Sequence, residues 1–121
     1  MEKVKFITHK NKNILFMDLS NCSEEHALQT IDKSRDMIKK QPEHSVLALT
    51  DIRNDGMFIP DLFQGMKEFT KHNKPYIKAS AIVASGELLK LFVDTISKLS
   101  DRTFSIFEDT EKAKDWLTEV K

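Results

Sequence analysis

The chain predicts an α/β domain: a five-stranded mixed sheet, its first strand antiparallel and the rest parallel, with four helices. Two apolar segments at the N-terminus are separated only by His9-Lys10-Asn11-Lys12-Asn13, a polar run of hairpin length, so the first two strands are expected to be antiparallel. After them, short apolar runs alternate with segments whose apolar residues recur at helical spacing. That alternation is the mark of strand–helix–strand units with right-handed crossovers, and hence of a parallel sheet. The 121 residues, 40% hydrophobic and 31% charged, suit one domain over 1–121 that buries a single core without disulfides or metal.

Val4 to Thr8 alternates as a half-buried strand, and Ile14 to Leu19 is nearly all apolar, as a strand covered on both faces is. Ser23 caps a helix from Glu24 to about Lys40. Its apolar face is Ala27, Leu28, Ile31, Ser34 and Ile38, and its acidic first turn and basic last turn match the helix dipole. Ser45 to Asp51 is a second buried strand. A loop from Ile52 to Ile59 leads to a helix from about Pro60 to His72, opened by Pro60 as first residue or by Asp61 as cap with Gln64. Its inward side is Leu62, Phe63, Met66, Phe69 and Thr70. Tyr76 to Ala84 is a strand ending at Ser85-Gly86, and Glu87 to Leu99 a helix with Leu88, Leu91, Phe92 and Ile96 inward. After Ser100-Asp101-Arg102, Thr103 to Phe107 is the last strand. Asp109 caps a final helix in which Ala113, Trp116, Leu117 and Val120 share a stripe, so the indole is expected to pack on the sheet. Lys3, Lys5, Lys78, Ser80, Thr103 and Ser105 alternate with apolar neighbours. This implies a sheet face that is polar towards its edges, and helices shared unequally between the faces.

Composition excludes several classes of function. Lysine plus arginine and aspartate plus glutamate both number 19, so the net charge is zero and there is no electrostatic footprint for nucleic acid or an anionic membrane. Only three cations are arginine. No apolar run is long enough to span a bilayer, and Met1 to Lys5 lacks a signal peptide's apolar stretch. The single Cys22 cannot form an internal disulfide, which points to a reducing, cytoplasmic setting.

Three stretches carry a family resemblance: Ser45-Val46-Leu47-Ala48-Leu49-Thr50-Asp51, the run from Asn73-Lys74-Pro75-Tyr76 to Val83, and Phe107 through Ala113 to Trp116-Leu117. Through them the whole chain resembles STAS-type domains, the fold of bacterial anti-sigma-factor antagonists. More closely it is similar to the small stand-alone bacterial proteins called SpoIIAA-like, or STAS/Sec14-like. The resemblance implies a regulatory or ligand-binding module without an enzyme activity. Antagonists of the regulatory type carry an aspartate-serine pair where the helix after the second parallel strand begins, and a kinase phosphorylates that serine. Phe58-Ile59-Pro60-Asp61-Leu62-Phe63 stands here instead, without a hydroxyl, so the phospho-switch does not carry over.

The chemistry-bearing residues are few. Asp18 and Asp51 each end an apolar strand, on the side where parallel sheets collect ligands. A carboxylate pair there holds a cation or performs acid–base work, although capping of loop amides is the simpler role. Ser85-Gly86 follows a strand and opens a helix, where free amides accept an anion or Ser85 merely caps. His9, His26, His44 and His72 have no ligand spacing and read as solvated surface residues. Cys22 has no CxxC partner or base and reads as a small buried residue. Met57-Phe58-Ile59 is an apolar run within a loop. Phe58 packing on Phe63 accounts for one of the three as a hydrophobic staple. Met57, alone or with Ile59, is therefore expected on the surface in a binding or self-association patch, with Asp18 and Asp51 on the same rim. No catalytic residue, metal ligand or cofactor is assigned. The expected partner is another protein, a second copy of the chain included. The alternative is a carrier of a small apolar or lipid-like ligand, a role implied by kinship to lipid-transfer domains of the CRAL-TRIO type.

Overall fold

The computed structural model describes residues 3–120, with Asp55 by its backbone alone. Strand β1 (Val4–His9) turns through Lys10 and Asn11 into β2 (Lys12–Asp18). Both turn residues have positive φ, 50° and 68°, the geometry that lets a two-residue loop follow the twist of an antiparallel pair. Then come α1 (Glu24–Ile38), β3 (Val46–Asp51), α2 (Pro60–Asn73), β4 (Ile77–Val83), α3 (Glu87–Ser100), β5 (Ser105–Phe107) and α4 (Thr110–Glu119). The strands lie in the order β1-β2-β3-β4-β5, with β1 antiparallel to β2 and every later pair parallel, as the sequence predicts.

Sequential order and right-handed crossovers together put α1, α2 and α3 on one face of the sheet. There Leu15, Met17 and Ile82 of the strands pack against Ile31, Met66, Phe92 and Ile96 of the helices. No crossover constrains α4, and it covers the other face, where Ala113 and Leu117 are fully buried against Ile14, Leu47, Leu49, Ala81 and Val83. The unequal sharing is as expected, but one of its clues misleads. Ser80 is buried on the three-helix side, where it accepts a hydrogen bond from Arg102.

Ser23 caps α1, accepting from the His26 amide, and Asp109 caps α4, accepting from the Glu111 amide at 2.7 Å. At α2, Pro60 is the first helical residue, and Ile59 holds the cap position without a side-chain bond. Gln64 builds no capping box and instead donates to Glu68. Helices α1 and α2 approach closely at Gly65, where a Cβ would come within 3.1 Å of Leu28 Cδ2.

The inward face of α3 differs from expectation. Leu89, Phe92, Val93 and Ile96 are buried, whereas Leu88, Leu91 and Leu99 face outward. The apolar arc of this helix is wider than the face the core covers, so its edge residues Leu88, Leu91 and Leu99 fall outside the buried side. The cap also differs. Gly86, not Ser85, is the N-cap, with φ 83° and ψ 160°, a conformation that only glycine adopts without strain.

Trp116 is half-buried, its ring 5.8 Å from that of Phe107, so the indole closes the edge of the α4 contact instead of filling its centre. The hairpin adds a polar clamp. His9 Nε2 lies 2.8 Å and Lys10 Nζ 3.0 Å from Asp115 Oδ1, and Lys12 Nζ donates to the Val120 carbonyl. His9 is thus engaged with α4, unlike the solvated residue expected.

Two predictions follow from how α4 docks. Leu117→Ala is expected to cost about 2–5 kcal/mol, and Trp116→Ala less, because part of the indole already meets water; urea midpoints of the two variants in the reverse order would contradict this packing. The hydrogen bonds from His9 and Lys10 hold the Asp115 carboxyl below its ordinary range. A carboxyl lowered in the folded state stabilises the fold above that range and loses the contribution as pH falls through it. The stability gap between wild type and Asp115→Asn is therefore expected at neutral pH and should close in acid. A gap of constant size from pH 7 down to about pH 2 would contradict it.

Candidate functional site

Parallel strands β3 and β4 end side by side, and the pairing continues one residue further, where the Ile52 amide donates to the Val83 carbonyl at 3.0 Å. Beyond that point the chains part. One runs through a short 3-10 turn, Asp55–Phe58, into α2, and the other through Ser85 and Gly86 into α3. Their divergence opens a cleft of about 530 Å³. One wall is Arg53, Asn54 and Phe58, and the other is Ser85, Gly86, Glu87, Leu88 and Leu89. This is the place that parallel α/β sheets offer to ligands.

Asp18 and Asp51 are direct neighbours in the β2–β3 register, as strand-end positions in adjacent strands allow. Neither lines the cleft. Asp18 Oδ1 accepts from the Ser20 amide at 3.0 Å and from the Ser20 hydroxyl at 2.6 Å. Asp51 is buried and grips Arg53: Oδ1 accepts from its amide and Nε, and Oδ2 from Nη2 at 2.7 Å. These bonds to Asp51 raise the Arg53 guanidinium's pKa further. Each carboxylate therefore organises the loop that follows its own strand. Asp51 reaches the cleft only through Arg53, whose side chain it holds against the wall.

Asn54 is the latch that composition and spacing do not disclose. Its Nδ2 donates to the carbonyls of Leu19 and Cys22, at 2.8 and 3.0 Å, and its Oδ1 accepts from the Gly56 amide. The loop after β3 is thereby tied to the loop after β2, and the 3-10 turn is set in a fixed direction.

That turn overturns the placement of Met57. Successive residues of a 3-10 turn lie about 120° apart; Met57 points into the core and is fully buried, while Phe58 and Ile59 are exposed. The polar latch fixes which residue of the run turns inward, and hydropathy alone does not. Phe58 and Phe63 both set their rings edge-on to Phe92 of α3, at 5.7 and 5.6 Å.

Phe58, Ser85 and Gly86 are therefore brought together at the cleft. Met57 lies below it, Ile59 beside the start of α2, and Asp18 and Asp51 behind it. Ser85 is exposed and makes no cap bond to α3. Beyond the cleft wall, where Leu88 is 68% exposed, Leu91 and Leu99 are further exposed apolar residues of α3. Cys22 is half-buried, its Sγ 3.6 Å from the Asp18 carbonyl, and burial pushes its thiol up, away from the nucleophilic thiolate. Among the described residues no three His, Cys, Asp or Glu side chains gather to hold a metal, and no helix is long and apolar enough to cross a membrane.

No protein-family model and no curated protein matches the chain. A solved structure does. It is an uncharacterised protein of the DUF3478 family with a SpoIIAA-like fold, from Shewanella loihica PV-4. It is similar over 94% of this chain and 91% of its own length, at 22% identity and a TM-score of 0.72. The chain described here therefore has the SpoIIAA-like α/β fold, as the resemblance implies.

The burial contrast within the 3-10 turn is open to measurement. Met57→Ala is expected to cost about 2–5 kcal/mol and Phe58→Ala distinctly less, read as urea unfolding free energies. Equal, small losses at both positions would return Met57 to the surface.

Proposed function

We propose that the chain is a non-catalytic regulatory or interaction module of the STAS type, which receives another protein at the cleft beyond β3 and β4. The observation that carries this reading is the number of exposed apolar side chains gathered there. Phe58 and Leu88 wall an open cleft, and Leu91 and Leu99 extend it along α3. Water-facing leucines on a helix whose other side is already fully packed stabilise nothing in the isolated domain. A contiguous exposed apolar surface rimmed by polar groups is what a docking site requires. Arg53, Asn54, Ser85 and Glu87 supply that rim.

A phosphoserine switch forms no part of this role. The segment that opens α2, from Phe58 to Gln64, has no serine or threonine to accept a phosphate. Regulation by such a module rests on occupancy of the cleft, or on a signal that reaches it from elsewhere in the domain.

The test uses native mass spectrometry of the protein taken from its own cells, with Leu88→Asp as the probe and Phe6→Asp as the control. Phe6 is also exposed, but lies on the distant β1. A protein complex seen with wild type and Phe6→Asp is expected to vanish with Leu88→Asp, while the thermal midpoint stays nearly unchanged because the substituted side chain is on the surface. A complex that survives Leu88→Asp, or one lost equally in both variants, would overturn the reading.

A further inference from the structure

The outward side of α3 carries a pattern of its own. Leu88, Leu91 and Leu99 are exposed, and Thr95 between them is half-buried. The spacings are three, four and four residues, so on a helix of 3.6 residues per turn the four side chains fall within an arc of about 80°. At 1.5 Å per residue they make one row about 16 Å long. Thr95 suits an apolar row, because its hydroxyl is turned back onto the Leu91 carbonyl at 2.9 Å.

Along one flank of the row run Glu87, Lys90, Asp94 and Lys98, alternating in sign. Glu87, Asp94 and Lys98 are exposed and make no ion pair among the described residues, while Lys90 holds Glu108 at 3.0 Å. The other flank borders Phe92, which is buried and meets Phe58 and Phe63. The row is thus charged on one side only, and that asymmetry selects its partner. When α3 pairs antiparallel with a second α3 about a twofold axis, the charged flank meets itself in reverse order. The series minus, plus, minus, plus then faces plus, minus, plus, minus. Glu87 stands against Lys98 of the second copy and Asp94 against its Lys90, and the symmetry repeats both pairs. All of them call for one axis, near Phe92 and Val93. About that axis the row also interlocks, because Leu88 falls between Thr95 and Leu99 of the second copy as a knob enters a hole. A parallel pair would set the charged flank against the apolar shoulder at Phe92 and leave its charges unmatched.

We infer that α3 is a self-association surface, on which a second copy of the chain docks antiparallel, leucine row on leucine row, with Glu87 and Lys98 paired at both ends. A contact one short helix face wide lies below the roughly 1,200 Å² of total buried area at which stable complexes begin, so the dimer is weak and reversible. The inference rests on the row and its charged flank, not on the cleft, but the two surfaces share Glu87 and Leu88. A second copy on the row therefore excludes a different protein from that wall of the cleft. Self-association is in this way a means of keeping the docking surface covered until a partner competes for it.

Sedimentation equilibrium of the full chain, from micromolar to millimolar concentration, tests the inference. Wild type is expected to show a reversible monomer–dimer equilibrium. Leu91→Asp, outside the cleft lining, should abolish the dimer while the thermal midpoint of the dilute protein stays nearly unchanged. Glu87→Lys and Lys98→Glu should each weaken the dimer about tenfold at low salt, since each turns two attractive contacts into repulsive ones. The double variant, Glu87→Lys with Lys98→Glu, should recover most of that loss, which neither a parallel pair nor a dimer built elsewhere on the domain would do. Both reversals oppose the dipole of α3, and that small cost falls on the thermal midpoint, not on the dimer constant. A chain that stays monomeric at millimolar concentration, a dimer indifferent to Leu91→Asp, or reversals without rescue would overturn the inference. A complex with a different protein, seen by native mass spectrometry for a chain that sediments as a monomer, would overturn it too and leave the reading of the cleft standing.

Discussion

Right-handed crossovers between strands laid down in sequential order leave α1, α2 and α3 only one face to occupy, and most of the molecule follows from that restriction. Three helices crowd one side, so the larger core forms there, and α2 and α3 must leave the sheet from adjacent strands at the same end. The cleft is what remains between their points of departure. The opposite face has no connecting helix, and the chain closes it with its last one. That is why α4 is held by a compact apolar contact and by a polar clamp from the hairpin.

The polar residues near the strand ends serve this geometry. Asp18 and Asp51 each turn the chain after a strand, and Asn54 binds one such turn to the other. A buried carboxylate gripping its neighbouring arginine is a poor acid–base catalyst but a stiff bracket. Removing one partner of such a pair is far costlier than never having built it. Rigidity at the cleft is thus built on a charge pair and on hydrogen bonds between loops.

Much of the fold was legible because it depends on patterns that survive local ambiguity. The hairpin, the strand–helix alternation and the caps at Ser23 and Asp109 are each written in a few adjacent residues. What was hidden depends on rotation or on distant partners. Leu88 and Leu91 belong to the apolar arc of α3 in the sequence, but that arc is wider than the face the core covers, and the sequence alone does not say which edge is left to water. Hydropathy treats Met57, Phe58 and Ile59 alike and leaves Met57 free to face outward, whereas Asn54 decides among them from outside the run. Of the candidate site, Phe58, Ser85 and Gly86 were legible by their place after parallel strands. Asn54 was not, because in sequence it is one residue of a polar loop and its partners, the Leu19 and Cys22 carbonyls, lie far away along the chain.

The two margins of the sheet carry one more consequence. The outer strand β5 is only three residues long, and the outer strand β1 carries the exposed Lys5 and leads into the positive turn at Lys10. A short margin gives a neighbouring molecule too few amide groups to zip onto, and a lysine-bearing one repels a copy of itself. The sheet is therefore finite by construction. Both margins thus discourage edge-to-edge pairing and the lateral growth of β-structure into fibres.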